Sequence, residues 1–215
     1  MTVERLSDRL PSGVHLRGLI DRPDRRSEWD SWLSDAERAR RDTFGSEQRQ
    51  REFLLGRAAA RGLLADLLGC APARVPLRRA DDGAVEVRKT AWRVSIAHSD
   101  GRALAAAAQR PVGVDLERIR PRDPDVARFL LSDEEWALPA TLPFGANESL
   151  ILLWVLKEAT LKARRTGFRT SPKELRVQVQ PEAHTATLEV GEQEAWIARF
   201  ARLDGFWAAV ALAEA

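Results

Sequence analysis

The chain has 215 residues, 44% of them apolar and 31% charged, with a net charge of +2 and one cysteine. That length allows one domain or two small ones with a real core. The near-balanced charge argues against a nucleic-acid binder that lives on bulk electrostatics, while permitting a local basic pocket. No apolar run reaches the roughly 18 residues that a membrane-spanning helix needs. Met1-Thr2-Val3-Glu4-Arg5 lacks the apolar stretch of a signal peptide. The lone Cys70, beside Leu67, Leu68 and Ala71, allows no internal disulfide and reads as a small buried hydrophobe. A cytoplasmic protein is expected.

Val14 to Ile20 reads as a short strand. Ser34-Asp35-Ala36-Glu37 is a capping box and predicts a helix to about Phe44. A longer helix follows from about Glu47 to Leu68, ended by Gly69. Its Phe53, Leu54, Leu63, Leu64, Leu67 and Leu68 keep helical spacing, and Arg57 and Arg61 lie one turn apart. Strands are expected at Trp92 to Ile96, Ala103 to Ala108 and Val112 to Ile119, the last two joined by a Gln109-Arg110-Pro111 turn.

Pro121-Arg122-Asp123-Pro124 breaks the chain, and Ser132-Asp133-Glu134-Glu135 is a second capping box that should open a short helix. Residues 139 to 147 read as loop. Asn147 is placed to cap a helix from about Glu148 to Arg165, with Gly167 to terminate it. Strands follow at Leu175 to Gln180, Thr185 to Val190, Trp196 to Leu203 and Phe206 to Leu212. Asp204-Gly205 makes the last pair a hairpin. Each half thus holds one long helix and several antiparallel strands. No sequence repeat relates the halves.

Lysine is rare, at four against thirty arginines, and two of the four fall in Trp154-Val155-Leu156-Lys157-Glu158-Ala159-Thr160-Leu161-Lys162. A compact point charge on a flexible stem is not interchangeable with a guanidinium. The segment therefore reads as a site, not a solvated helix face. Its helix is apolar nearly all round, so a carboxylate there is costly unless paired or bound to metal. Lys162, four residues after Glu158, offers a local ion pair that would explain Glu158 without any function. It does not explain Lys157.

In the strand Val112-Gly113-Val114-Asp115-Leu116-Glu117, Gly113, Asp115 and Glu117 share one face. The two carboxylates can converge on a hard cation such as Mg²⁺, and Gly113 leaves room for something to approach. By itself the strand fits the bland alternative better, an exposed face with both carboxylates solvated. His98, in Ser95-Ile96-Ala97-His98-Ser99-Asp100-Gly101, ends a strand beside small hydroxyl residues, which suits anion binding. A structural hydrogen bond is the plainer account of such a histidine. His15 and His184 have no supporting neighbours. There is no Cys/His cluster for zinc, no G-x-x-x-x-G-K-[ST] loop and no G-x-S-x-G elbow.

Gly113-Val114-Asp115-Leu116-Glu117 and Trp154 to Lys162 together resemble the two signatures of 4′-phosphopantetheinyl transferases of the surfactin-synthetase-activating type. These run roughly G-[IV]-D-[IL]-E and, about forty residues on, W-x-x-K-E-[AS]-x-x-K. His98-Ser99 is similar to an earlier block of that family, as is the helical region with Arg40, Phe44, Gly56-Arg57 and Arg61. The likeness runs from about 34 to 212. It implies an α+β fold, a pseudo-dimer of two similar halves. Each half is a long helix on a small mainly antiparallel sheet, with the site at their junction. The division would fall at 1–110, on the coenzyme A side, and 111–215, with the metal and catalytic motifs.

The resemblance also implies an activity: Mg²⁺-dependent transfer of the phosphopantetheine arm of coenzyme A to a serine of an apo acyl or peptidyl carrier protein, releasing adenosine 3′,5′-bisphosphate. By the same likeness Asp115, Glu117 and Glu158 hold the metal. Glu158, or a metal-held water that it orients, takes the serine proton. Lys162 stabilises phosphate charge. Arg40 and Arg79 meet the 3′-phosphate and neighbouring groups, and His98 and Ser99 contact phosphate oxygens. A monomer with no nucleic-acid or membrane partner is implied.

Two departures stand out. The family often carries Gly-Lys-Pro where this chain has Asp82-Gly83-Ala84-Val85, and Ala97 replaces a usual serine. They motivate an alternative, a degenerate relative that binds coenzyme A or a carrier protein without transfer. Carrier docking is expected between Arg118 and Phe144, where Arg118, Arg120, Arg122 and Arg128 lie beside Phe129, Leu130 and Trp136. An ordinary solvated loop and helix would look the same.

Overall fold

A computed structural model of the chain describes residues 4–123, 125–166, 169–191 and 194–214. In chain order the elements are α1 (Glu4–Ser7), β1 (His15–Ile20), α2 (Arg26–Trp32), α3 (Asp35–Asp42), α4 (Glu47–Leu68), β2 (Leu77–Arg79), β3 (Val85–Val87), β4 (Arg93–Ser99) and β5 (Arg102–Ala108). The rest are β6 (Val112–Arg118), α5 (Asp125–Leu130), α6 (Leu138–Thr141), α7 (Ala146–Arg164), β7 (Leu175–Gln180), β8 (Thr185–Val190), β9 (Glu194–Leu203) and β10 (Phe206–Ala213).

The strands form two five-stranded sheets, ordered β1-β5-β4-β3-β2 and β6-β10-β9-β8-β7. Every pairing is antiparallel. One long helix covers each sheet, α4 on the first and α7 on the second. This is the α+β architecture of two similar halves that the sequence implied.

Local chemistry explains the two helices. Ser34 and Glu37 form the expected capping box at the start of α3. Helix α4 runs over the expected residues, with the Ser46 side chain accepting from Arg49 N–H and Gly69 closing the helix in a left-handed conformation. Ala58, Ala59 and Ala60 on α4 and Ala103, Ala105 and Ala107 on β5 are all fully buried in one core. Small residues on both surfaces let helix and sheet approach closely.

A middle core joins the halves. Ala97, Leu104, Ala106 and Ala108 of the first sheet meet Val112, Val114, Leu116, Ala208, Val210 and Leu212 of the second, with Leu6 from α1. Burying apolar area at ~25 cal/mol per Å² makes such a shared layer a strong fastening. It holds β4 against β6, where the Val114 N–H donates to Ser95 Oγ at 3.1 Å.

Several expectations need correction. Ser132 to Glu135 forms a turn, and the short helix begins at Leu138. Glu135 still accepts from Ser132 N–H at 3.2 Å, but its carboxylate is drawn to Lys157 and to Val177 N–H. Residues 138–141 are helical within the expected loop. Helix α7 starts at Ala146 with Gly145 as N-cap, so Asn147 lies inside it and caps nothing. Its C-cap is Arg165, and Gly167 lies outside the described residues. Cys70 is only partly buried. Helices α2 and α5 and the β2–β3 hairpin had no clear signal in the sequence. Among the described residues no helix is long and apolar enough to cross a membrane.

Candidate active site

The site is built on the packing of β6 against α7. Val112, Val114 and Leu116 face the middle core, which turns Gly113, Asp115 and Glu117 toward the helix. A Cβ at Gly113 would stand 1.8 Å from the Ala159 carbonyl oxygen and 2.5 Å from the Ala163 nitrogen. The room left by Gly113 is therefore filled by the helix backbone, not by a ligand. This close approach brings Glu158 and Lys162 beside Asp115. It also removes the solvated alternative, since Asp115 is 5% exposed.

Lys162 Nζ lies 2.7 Å from Asp115 Oδ1 and 3.5 Å from the Ile96 carbonyl oxygen. The helical pair between Glu158 and Lys162, which would have explained Glu158 without any function, is not made. Glu158 forms no hydrogen bond or ion pair with any described residue. Desolvation, then the charge of Asp115, pushes its carboxyl up to about 7, with Lys162 opposing and Glu117 adding. Glu117 is raised too, by desolvation first and then by Asp115. Arg122 at 2.5 Å and the Ser99 hydroxyl at 3.3 Å hold its Oε2.

Strand β4 adds His98 and Ser99 from the first half. His98 packs near Gly56 of α4, with Cδ2 at 3.6 Å from where a Cβ would sit, and its Nδ1 is 3.6 Å from Glu52 Oε2. Partial desolvation holds the ring below the ordinary histidine range, although 44% of the side chain stays exposed. Glu52 opposes that shift, Lys162 reinforces it and Asp115 opposes it. The ring feels both Lys162 and Asp115, so His98 belongs to the same junction.

A cleft of about 640 Å³ opens beside Lys162, walled by residues 82–87 and 90–96 of the first half and by Val112, Leu161, Lys162, Ala163 and Arg165 of the second. That is an ordinary size for a small-molecule site. The departing stretch Asp82-Gly83-Ala84-Val85 forms part of this wall, and Asp82 holds Arg165 there. Arg79 is exposed beside the same turn, its Nη2 3.0 Å from where a Gly83 Cβ would sit. Arg40 is not brought into the cluster. Its guanidinium stacks on Phe44 at 5.1 Å and makes no hydrogen bond or ion pair with a described residue.

Lys157, the other lysine of the motif, points away from the site. It is fully buried, with Nζ 2.5 Å from Glu135 Oε2 and 3.0 Å from the Leu130 carbonyl oxygen. Burial lowers its ammonium, and Glu135 opposes the shift. Lys157 ties the 130–135 segment to α7. Leu130 is buried with it, so the apolar part of the expected docking patch reduces to Phe129 and Trp136, which are exposed. Within that patch Arg122 is engaged with Glu117, and Arg118 and Arg120 lean toward Asp100.

The donor chemistry suits a hard cation. Asp115, Glu117 and Glu158 offer only oxygen, and Asp115 Oδ2 is buried with no hydrogen-bond partner among the described residues. No group of three His, Cys, Asp or Glu side chains among the described residues is already gathered as a metal cage. Lys162 and Arg122 neutralise two of the three carboxylates instead. Arg122, Arg165, Ser95 and Glu52 were not marked as site residues by their sequence context, because each is placed by contacts between distant elements.

Residues 111–213 match a family model described as the 4′-phosphopantetheinyl transferase superfamily, and residues 36–108 match that of the 4′-phosphopantetheinyl transferase N-terminal domain. The chain is 24% identical over 166 residues to the 4′-phosphopantetheinyl transferase psf-1 of Bacillus pumilus, covering 76% of this chain and 71% of that one. It is 26% identical over 93 residues to a 4′-phosphopantetheinyl transferase of Bacillus subtilis, covering 43% and 42%. A Synechocystis protein provisionally named as the same transferase is 30% identical over 143 residues, covering 63% of this chain and 58% of that one. The chain thus spans less than two thirds of the length of two of these relatives.

Proposed function

The chain belongs to the 4′-phosphopantetheinyl transferase superfamily, and on that premise we propose that it transfers the phosphopantetheine arm of coenzyme A to a serine hydroxyl of an apo acyl or peptidyl carrier protein. The observation that carries this reading is the convergence of Glu158 and Asp115 on Lys162, which itself lines the cleft between the halves.

In the reaction the serine Oγ–P bond forms, and the P–O bond to adenosine 3′,5′-bisphosphate breaks. Glu158 serves as the base for the serine proton. A carboxyl raised to about 7, with no hydrogen-bond partner among the described residues, is half ready to accept a proton near neutrality. Lys162, on its flexible stem, moves from Asp115 to a phosphate oxygen and stabilises the charge that develops there. His98 and Ser99 supply further donors from β4, and Arg79 stands at the rim for a peripheral phosphate. The cleft walls orient the coenzyme and limit water.

Asp115, Glu117 and Glu158 would hold Mg²⁺, with the free Asp115 Oδ2 as a ready donor. When bound, the metal supplies charge neutralisation on the pyrophosphate. Asp115 and Glu117 would then exchange their contacts with Lys162 and Arg122 for the metal, leaving both cations for phosphate. Both halves of the site lie in one chain, so a monomer suffices. A cytoplasmic setting suits a chain whose single cysteine can form no internal disulfide.

The test is intact-protein mass spectrometry of an apo carrier protein incubated with this protein, coenzyme A and Mg²⁺, with an EDTA control. A gain of one phosphopantetheine arm, lost with EDTA, is the expected result. No gain across a panel of acyl and peptidyl carriers would overturn the transferase reading.

A further inference from the structure

Helix α7 ends on Arg165, whose backbone lies in the left-handed region at φ 58 and ψ 25. A side chain with a Cβ is strained there, and glycine is the usual occupant of such a cap. What holds the arginine is a reach across the cleft to the other half. Its Nε is 3.0 Å from Asp82 Oδ2, and its Nη2 is 3.0 Å from Asp82 Oδ1 and 2.8 Å from Glu86 Oε1. Arg78 Nη2 takes the other Glu86 oxygen at 2.9 Å, so two guanidiniums answer two carboxylates.

This arrangement fixes the guanidinium plane without using all of it. Nη1 hydrogen-bonds no described residue, the side chain is 35% exposed, and it lines the same cleft as Lys162. A guanidinium anchored on two sides has lost its conformational freedom before any ligand arrives, so little is lost on binding.

We propose that Arg165 is a ligand-binding residue, oriented by Asp82 and Glu86 so that its Nη1 meets an anionic group of the ligand in the cleft. On the reading above, which this assignment rests on, that group is a phosphate of coenzyme A. The C-terminal end of α7 then contributes two cations to the cleft, Lys162 and Arg165.

The test is calorimetric titration of coenzyme A into the Mg²⁺-loaded wild-type protein, Arg165→Gly and Arg165→Lys. Glycine suits the backbone at this position, so Arg165→Gly keeps the fold, as a thermal melt checks. Arg165→Gly should bind coenzyme A about tenfold or more weakly, the effect of losing one charged hydrogen bond. Arg165→Lys should lie between the two. A glycine variant within about twofold of wild type, or a lysine variant as weak as the glycine one, overturns the assignment. A lowered melting temperature with unchanged affinity overturns it too, since the arginine would then merely fasten the halves. Wild-type protein that does not bind coenzyme A overturns the transferase reading, and this assignment with it.

Discussion

Lys162 Nζ sits 2.7 Å from Asp115 Oδ1 on the neighbouring strand, and not on Glu158 one turn before it on the same helix. Lys162 thus neutralises the more deeply buried carboxylate and leaves Glu158 with a raised affinity for its proton. One lysine is thereby paired with one of two neighbouring acids, and burial beside that acid raises the other, Glu158, to about 7.

Glu158→Gln keeps the shape of the side chain and removes both its charge and its basicity. Transfer to an apo carrier protein should fall at least about 100-fold, the scale of losing a positioned base. The circular dichroism spectrum should not change. Wild-type turnover in this variant would remove Glu158 from the chemistry.

Gly113→Ala tests the strand–helix contact that assembles the site. The new methyl would meet backbone atoms of Ala159 and Ala163, which cannot swing aside. A loss of about 3 kcal/mol or more is expected, at or beyond the usual cost of overpacking. Urea unfolding measures it. A loss below about 1 kcal/mol would show that α7 can shift away from β6 at little cost.

Lys157→Met should destabilise the protein by about 3–5 kcal/mol, because Glu135 would keep a buried charge with no counter-ion. The double variant Lys157→Met/Glu135→Gln should recover part of this loss. Folded Lys157→Met protein should retain transferase activity, since the side chain points away from the cleft. Full stability with lost activity would instead make Lys157 a functional residue.

Glu117 and Glu158 both bind a proton more tightly in the folded chain than when unfolded. Their contribution to stability is present at low pH and is lost as pH rises, for Glu158 through the window from 4.5 to about 7. In EDTA the melting temperature should therefore drop between about pH 5 and about pH 8, and less steeply in Glu158→Gln. Parallel pH profiles for the two proteins would contradict the raised value.

Much of the scaffold was legible in the chain. The Ser34 box and Gly69 mark helix ends by chemistry local to a few residues, so both survive in the structure. The alternation in Val112 to Glu117 put Asp115 and Glu117 on one face, and the apolar girth of α7 marked a buried helix. The spacing of the two motifs carried the family and its implied reaction. Where prediction failed, longer-range forces had won. Ser132 and Glu135 have the letters of a capping box, but Lys157 offers that carboxylate a stronger partner 22 residues away.

The sequence by itself determined which residue types are present, which face of an element they take and which family they belong to. These follow from periodicities of 2 and about 3.6 residues and from short-range hydrogen bonds. The tertiary structure alone decided the pairings. That Lys162 answers Asp115, that Arg122 holds Glu117, that α7 fills the space over Gly113 and that Arg165 crosses to Asp82 depend on how two sheets pack about a shared core. A charge chooses its partner by distance and desolvation, and neither is written in the spacing along the chain.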